Sequence, residues 1–187
     1  MLFPDITDRS EKPRRVRTRV DWPDCRQQLV AGFDWLWSLL GQPEIIVCIG
    51  TDRATGDAFG PLVGSRLLEK RRMPCEVLGT LDHPVHGSNL LMLLRERPRI
   101  LRSRCLAIDA SLGAPEDVGS IIIAPGSIRP GAGVQKELPA IGQYFVAATV
   151  NIGGLMDAYV LQNTRLSLVM RMAALVADAL ALSLSVH

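Results

Sequence analysis

Hydrophobic residues fall along this chain in short dense runs separated by loops rich in glycine, proline and acids. Glu44 to Gly50 (EIIVCIG) is a continuous apolar run closed by glycine, the pattern of a strand buried on both faces. Runs at Cys75–Thr80, Arg104–Ala110, Gly119–Ala124 and Tyr144–Val150 predict four further strands. Between them the period changes. Arg26–Leu40 carries Leu29, Val30, Phe33, Leu36, Trp37 and Leu40 at helical spacing, and Gly41-Gln42-Pro43 stops it. Further helices are predicted from about Pro61 to Arg72, from His86 to Arg97, and from Thr164, a candidate N-cap, to about Ser185. Strands alternating with helices at this spacing predict an α/β fold of three layers, α/β/α, around a mostly parallel central sheet. In such a sheet, reactive groups collect in the loops that leave the carboxyl ends of the strands.

Composition adds boundaries to this picture. The 187 residues are 48% hydrophobic and 21% charged, enough for one globular core without crosslinks. The net charge of +2 hides an asymmetry, because residues 9–19 hold six bases and one acid and leave 15 bases against 18 acids elsewhere. Residues 1–24 are therefore expected to be a mobile basic arm, or a removable prosegment, ahead of a single α/β peptidase-like domain over 25–187. A nucleic-acid binder would spread cation over its folded body, so nucleic acid is not an expected partner. The four cysteines lie far apart with no C-x-x-C pair, and three sit in apolar runs as small hydrophobes of a reducing compartment. Residues 1–24 contain no apolar signal region, and Asp34 and Asp178 interrupt the two most apolar helices, short of the ~20 apolar residues of a membrane span. A cytoplasmic location is expected. The apolar last helix is read as core or as the face of a homo-oligomer.

The loop after the first of these strands, Gly50 to Pro61 (GTDRATGDAFGP), resembles a phosphate cradle only in its glycines. It has neither G-x-x-x-x-G-K-[ST] nor G-x-G-x-x-G, and Asp52 and Asp57 would repel a phosphate. It does deliver Asp57 just before a helix, where an acid can equally be a first-turn residue stabilised by the helix N-terminus. The third strand ends in Asp109 after four apolar positions, a costly place for an unpartnered carboxylate. If the first and third strands are neighbours, Asp57 and Asp109 reach one rim, where two carboxylates push their pKa values apart and divide acid and base roles. Asp82, His83 and His86 leave the second strand toward the same rim, and Asp57, Asp109 and His86 could instead ligate a divalent metal ion. Gly131, Gly133 and Lys136 follow the fourth strand as backbone donors and a cation, and Asn151 follows the fifth.

The strings IGTDRATGDAFGPLVG (Ile49–Gly64), GTLDHPVHGSNL (Gly79–Leu90), AIDASLG (Ala107–Gly113), PGAGVQKELPAIG (Pro130–Gly142) and LQNTRLSLVMRMA (Leu161–Ala173) resemble the YyaC-type sporulation proteins of spore-forming Firmicutes. More distantly they resemble the spore germination protease, and the hydrogenase maturation proteases share the phosphorylase/hydrolase-like α/β fold. The resemblance covers about residues 44–175. It implies an endopeptidase whose two essential aspartates fall on Asp57 and Asp109, with a protein or peptide substrate and no cofactor. By their loop positions Lys136, Gly131, Gly133, Asp82, His86 and Asn151 are expected around the substrate or oxyanion; His86 belongs to the YyaC-type pattern, but the resemblance assigns it no role. The maturation proteases use a further His after the third-strand Asp to bind the metal of their substrate; none follows Asp109 here before His187. The rival readings are a non-catalytic spore-development binding protein with the same fold and a metal-dependent hydrolase using Asp57, Asp109 and His86.

Overall fold

The structure, a computed structural model, describes residues 15–70, 73–130 and 138–184. A six-stranded sheet runs in the order β1-β5-β6-β4-β2-β3. Its strands are β1 (Val16–Arg19), β2 (Ile45–Cys48), β3 (Glu76–Leu78), β4 (Cys105–Gly113), β5 (Ser120–Pro125) and β6 (Tyr144–Ile152). The pairs β2·β3, β2·β4 and β4·β6 are parallel, and β5 alone runs against the rest, pairing antiparallel with β6 and β1. The helices are α1 (Cys25–Leu40), α2 (Phe59–Glu69), α3 (Leu90–Glu96), α4 (Asp157–Gln162) and α5 (Leu166–Leu184).

Alternation along the strands sorts the two faces. Ile46 and Cys48 of β2, Leu106 and Ile108 of β4, and Val146 and Ala148 of β6 pack with Leu29, Phe33 and Leu36 of α1, Phe59 and Val63 of α2, and the buried stripe of α5. Each fully buried Leu or Phe side chain there contributes about 1.5–3 kcal/mol. Ile45, Val47, Ile49, Cys105 and Ala107 point the other way, onto Leu90 and Leu94 of α3 and onto Leu138 and Ile141. This is the expected α/β/α arrangement with helices on both faces.

Several expectations change. Residues 16–19, inside the stretch expected to be a mobile arm, form the edge strand β1, and the remainder of that arm up to residue 14 lies outside the described residues. Two of the arm's bases are engaged there: Arg17 pairs with Asp117, and Arg19 donates to the Glu116 carbonyl at 2.6 Å and to Asp21 at 3.1 Å. The last helix starts at Leu166, and Thr164 does not cap it, since its hydroxyl donates to the Val160 carbonyl at 2.9 Å. The third helix starts at Leu90 because His86–Asn89 is a turn, in which the Asn89 carboxamide accepts the His86 N–H at 2.8 Å and donates to the Pro84 carbonyl at 2.8 Å. α5 is, by length and composition, apolar enough to cross a membrane in spite of Asp178, but its Val169, Met172, Val176 and Leu180 are spent in the core. All four cysteines are free thiols, Cys25, Cys48 and Cys105 buried and Cys75 half-buried.

Candidate active site

β2 and β4 lie side by side, with Cys48 opposite Ile108, so the loop leaving β2 and the continuation of β4 open on the same rim. Ile45, Val47, Cys105 and Ala107 belong to the α3 face of the sheet. Asp109, two residues beyond Ala107, therefore points to that face and lines the pocket there. The Asp57 loop is folded tightly. The Gly50 N–H donates to the Val85 carbonyl at 2.7 Å, the Thr51 N–H to the Asp57 carbonyl at 3.2 Å, and the Gly56 N–H to the Leu161 carbonyl at 2.8 Å. Gly50 has φ +138, and a Cβ there would stand 1.9 Å from the Asp57 carbonyl oxygen, so only glycine lets the loop close on itself.

Asp57 and Asp109 line one pocket of about 720 Å³, with Ser111, Arg129, Ile152 and Asp157 among the other walls. A smaller adjoining hollow of about 290 Å³ is also lined by both acids and adds Arg53, His86 and Gln162. Burial drives the Asp109 carboxyl well above the ordinary 3.8; the nearby Asp57 charge pushes the same way, against a weaker opposing hydrogen bond from the Ala110 backbone. Burial also raises Asp57, opposed by a hydrogen bond from the Thr51 backbone and by the closeness of His86. The two carboxyls are therefore inequivalent, and Asp109 is the one held more firmly in its protonated form. His86 Nδ1 accepts the Ser88 N–H at 3.3 Å, which holds the ring in its turn.

Of the residues read from sequence, Asp57, Asp109 and His86 come together. Asp82 and His83 are exposed and line neither hollow. Asn151 is a tether rather than part of the lining: its Nδ2 donates to the Thr164 hydroxyl at 3.2 Å and to the Val160 carbonyl at 3.4 Å, and its Oδ1 accepts the Ile152 N–H at 2.9 Å. Gly131, Gly133 and Lys136 lie outside the described residues. Among the described residues no group of three or more His, Cys, Asp or Glu stands at metal-binding distances. Asp57, Asp109 and His86 thus share a neighbourhood without forming a ready ligand set.

Two charged residues of the larger pocket, Arg129 and Asp157, escaped the sequence reading. Arg129 gets there because antiparallel β5 ends at the opposite rim and the chain then turns back, with Ile128 bridging Ile141 on the α3 face. Asp157 opens the short α4 and accepts the Gly154 N–H at 2.9 Å. Its one trace in sequence is Gly153-Gly154 followed closely by an acid and an apolar run, a helix-start signature. Just before it, Met156 has φ 62 and ψ 41, a left-handed conformation that costs a non-glycine residue about 1–2 kcal/mol.

Comparison with known proteins now places the chain. The family model described as "Protein of unknown function (DUF1256)" matches residues 26–179. The protein named "Uncharacterized protein YyaC" of Bacillus subtilis (strain 168) is 45% identical over 144 residues, covering 76% of this chain and 70% of that one. Among solved structures, the NiFe hydrogenase maturation protease HycI of Thermococcus kodakarensis KOD1 aligns over 79% of this chain and 97% of its own, with a TM-score of 0.46 and 21% identity.

Proposed function

The chain belongs to the DUF1256 family, together with YyaC, and we propose that it is a metal-independent endopeptidase whose reaction runs on Asp57 and Asp109. The observation that carries this reading is the pair itself, two carboxyls in one pocket with unequal proton affinities. Asp57, whose ionised form is supported by the Thr51 N–H and by His86, is the base. It takes a proton from a water whose oxygen attacks the peptide carbonyl, while protonated Asp109 gives its proton to the carbonyl oxygen. As the tetrahedral intermediate collapses, the C–N bond breaks, Asp57 passes its proton to the departing amine, and Asp109 recovers its own from the hydroxyl. Arg129, exposed at the pocket wall, supplies positive charge near the developing oxyanion.

The motif resemblance to the spore germination protease supports the same assignment, and the resemblance to the YyaC-type sporulation proteins suggests cytoplasmic work during sporulation. Purified protein incubated with small acid-soluble spore proteins, or with unfolded casein, should cleave them. Asp57→Asn and Asp109→Asn should each lose at least about 100-fold in rate while keeping the wild-type far-UV circular dichroism. Full activity in either variant would sink the reading.

A further inference from the structure

The pocket is continued on one side by a segment that the two-aspartate chemistry does not use. Between β6 and the first turn of α4 the chain exposes Ile152 (46%), Leu155 (92%), Met156 (71%) and Tyr159 (58%) to solvent. Ile152, Gly153, Gly154 and Asp157 of the same segment line the pocket itself, so this apolar surface begins at its wall. Two unfavourable features coincide there: large hydrophobic side chains left in water, and a non-glycine residue, Met156, in left-handed backbone. Apolar exposure rimmed by polar groups marks contact surfaces, and local strain gathers at functional segments.

We infer that Ile152, Leu155, Met156 and Tyr159 form a substrate shelf, and that the occupant is an extended polypeptide segment with large apolar side chains flanking the bond presented to Asp57 and Asp109. This rests on the hydrolytic reading of the pocket and adds the class of substrate. Continuity decides for a peptide. Ile152 belongs both to the shelf and to the wall of the pocket that holds both acids, so an extended chain laid on the shelf leads directly to the carboxyls. The pocket alone would serve a small polar substrate, which would leave the four apolar groups without a role.

The test separates binding from cleavage. Fluorescein-labelled short peptides with a central Leu-Leu-Phe-Leu run, and counterparts with Ser and Gln in its place, are titrated by anisotropy into the full chain. Wild type and Asp109→Asn should both prefer the apolar peptide by more than about tenfold, and Leu155→Ser/Met156→Ser should abolish that preference. Melting temperature checks that the double variant is folded, and Tyr159→Ser, which should weaken the preference, provides a second reading. Equal binding of the two peptides by wild type, or an undiminished preference in the folded double variant, overturns the shelf. So does sedimentation showing that the double substitution turns a dimer into a monomer with peptide affinity unchanged. An Asp109→Asn protein that binds apolar peptide and still cleaves protein at the wild-type rate overturns the two-aspartate mechanism and leaves the shelf standing.

Discussion

Asp57 stands close enough to Asp109 for its charge to help keep the Asp109 carboxyl protonated, on top of the burial that already disfavours the anion. A carboxyl with a raised folded pKa binds more protons in the native than in the unfolded state once pH exceeds its ordinary value of 3.8. The contribution of Asp109 to stability is thus intact below that value and declines as pH rises toward the folded pKa; Asp57 acts in the same direction. Asp109→Asn removes the penalty. Its melting temperature should match wild type near pH 4 and exceed it at pH 7, at about 2–4 °C per kcal/mol relieved. A variant that is less stable at pH 7 than at pH 4, relative to wild type, contradicts this.

Gly50 is expected to be more sensitive than either acid. A methyl group there meets the Asp57 carbonyl at 1.9 Å on a backbone at φ +138. Gly50→Ala should destabilise the protein by about 3 kcal/mol or more. Urea unfolding would show this as a lower midpoint, whereas Asp57→Asn should keep its midpoint at or above the wild-type one at pH 7.

The role of Asn151 can be separated from catalysis. Its carboxamide links the end of β6 to Val160 and Thr164. Asn151→Ala leaves the buried Thr164 hydroxyl one partner short and should cost about 1–3 kcal/mol. Activity measured well below the lowered melting temperature should stay within a few-fold of wild type, and a catalytic loss of about 100-fold would instead place Asn151 in the reaction.

The cysteines should be inert. Burial pushes the Cys75 thiol up to about 11 and the Cys105 thiol up to about 12, and the thiolate is the reactive form. Titration with a thiol reagent at pH 8 should show almost no labelling of native protein, with Cys75 the first to react as pH rises, and all four should react in denaturant. Rapid native labelling at pH 7 would contradict this.

The parts of this fold that can be read along the chain are those whose partners are anonymous. A buried strand such as Ile45–Cys48 needs only apolar neighbours, so its composition announces it, and an acid ending such a run, as Asp109 does, stands out. Asp57 and Asp109 converge because β2 and β4 pair in parallel, which alternating elements already suggest. The direction of β5 carries no mark in its residues, because Ser120–Pro125 would look the same in either sense; the placement of Arg129 was therefore hidden. β1 was missed for a different reason. Val16–Arg19 alternates with bases instead of apolar residues, and what makes it a strand is Ile121–Ile123 waiting at the edge together with Asp117. Asp82 lies inside the turn closed by the Thr80 N–H to the His83 carbonyl and is exposed there, which spacing alone does not reveal.

β1 also changes what the amino-terminal stretch means for the life of the protein. Its register, Val16 opposite Ile123 through Arg19 opposite Ser120, closes the hydrogen-bonding row of a strand built around three consecutive isoleucines. An unpaired edge of that kind is a template for another chain to join. Val16–Arg19, within the stretch expected to be a mobile arm or a removable prosegment, is thus the sheet's selvedge, and trimming the chain back to Asp24 would lay bare the isoleucine row of β5.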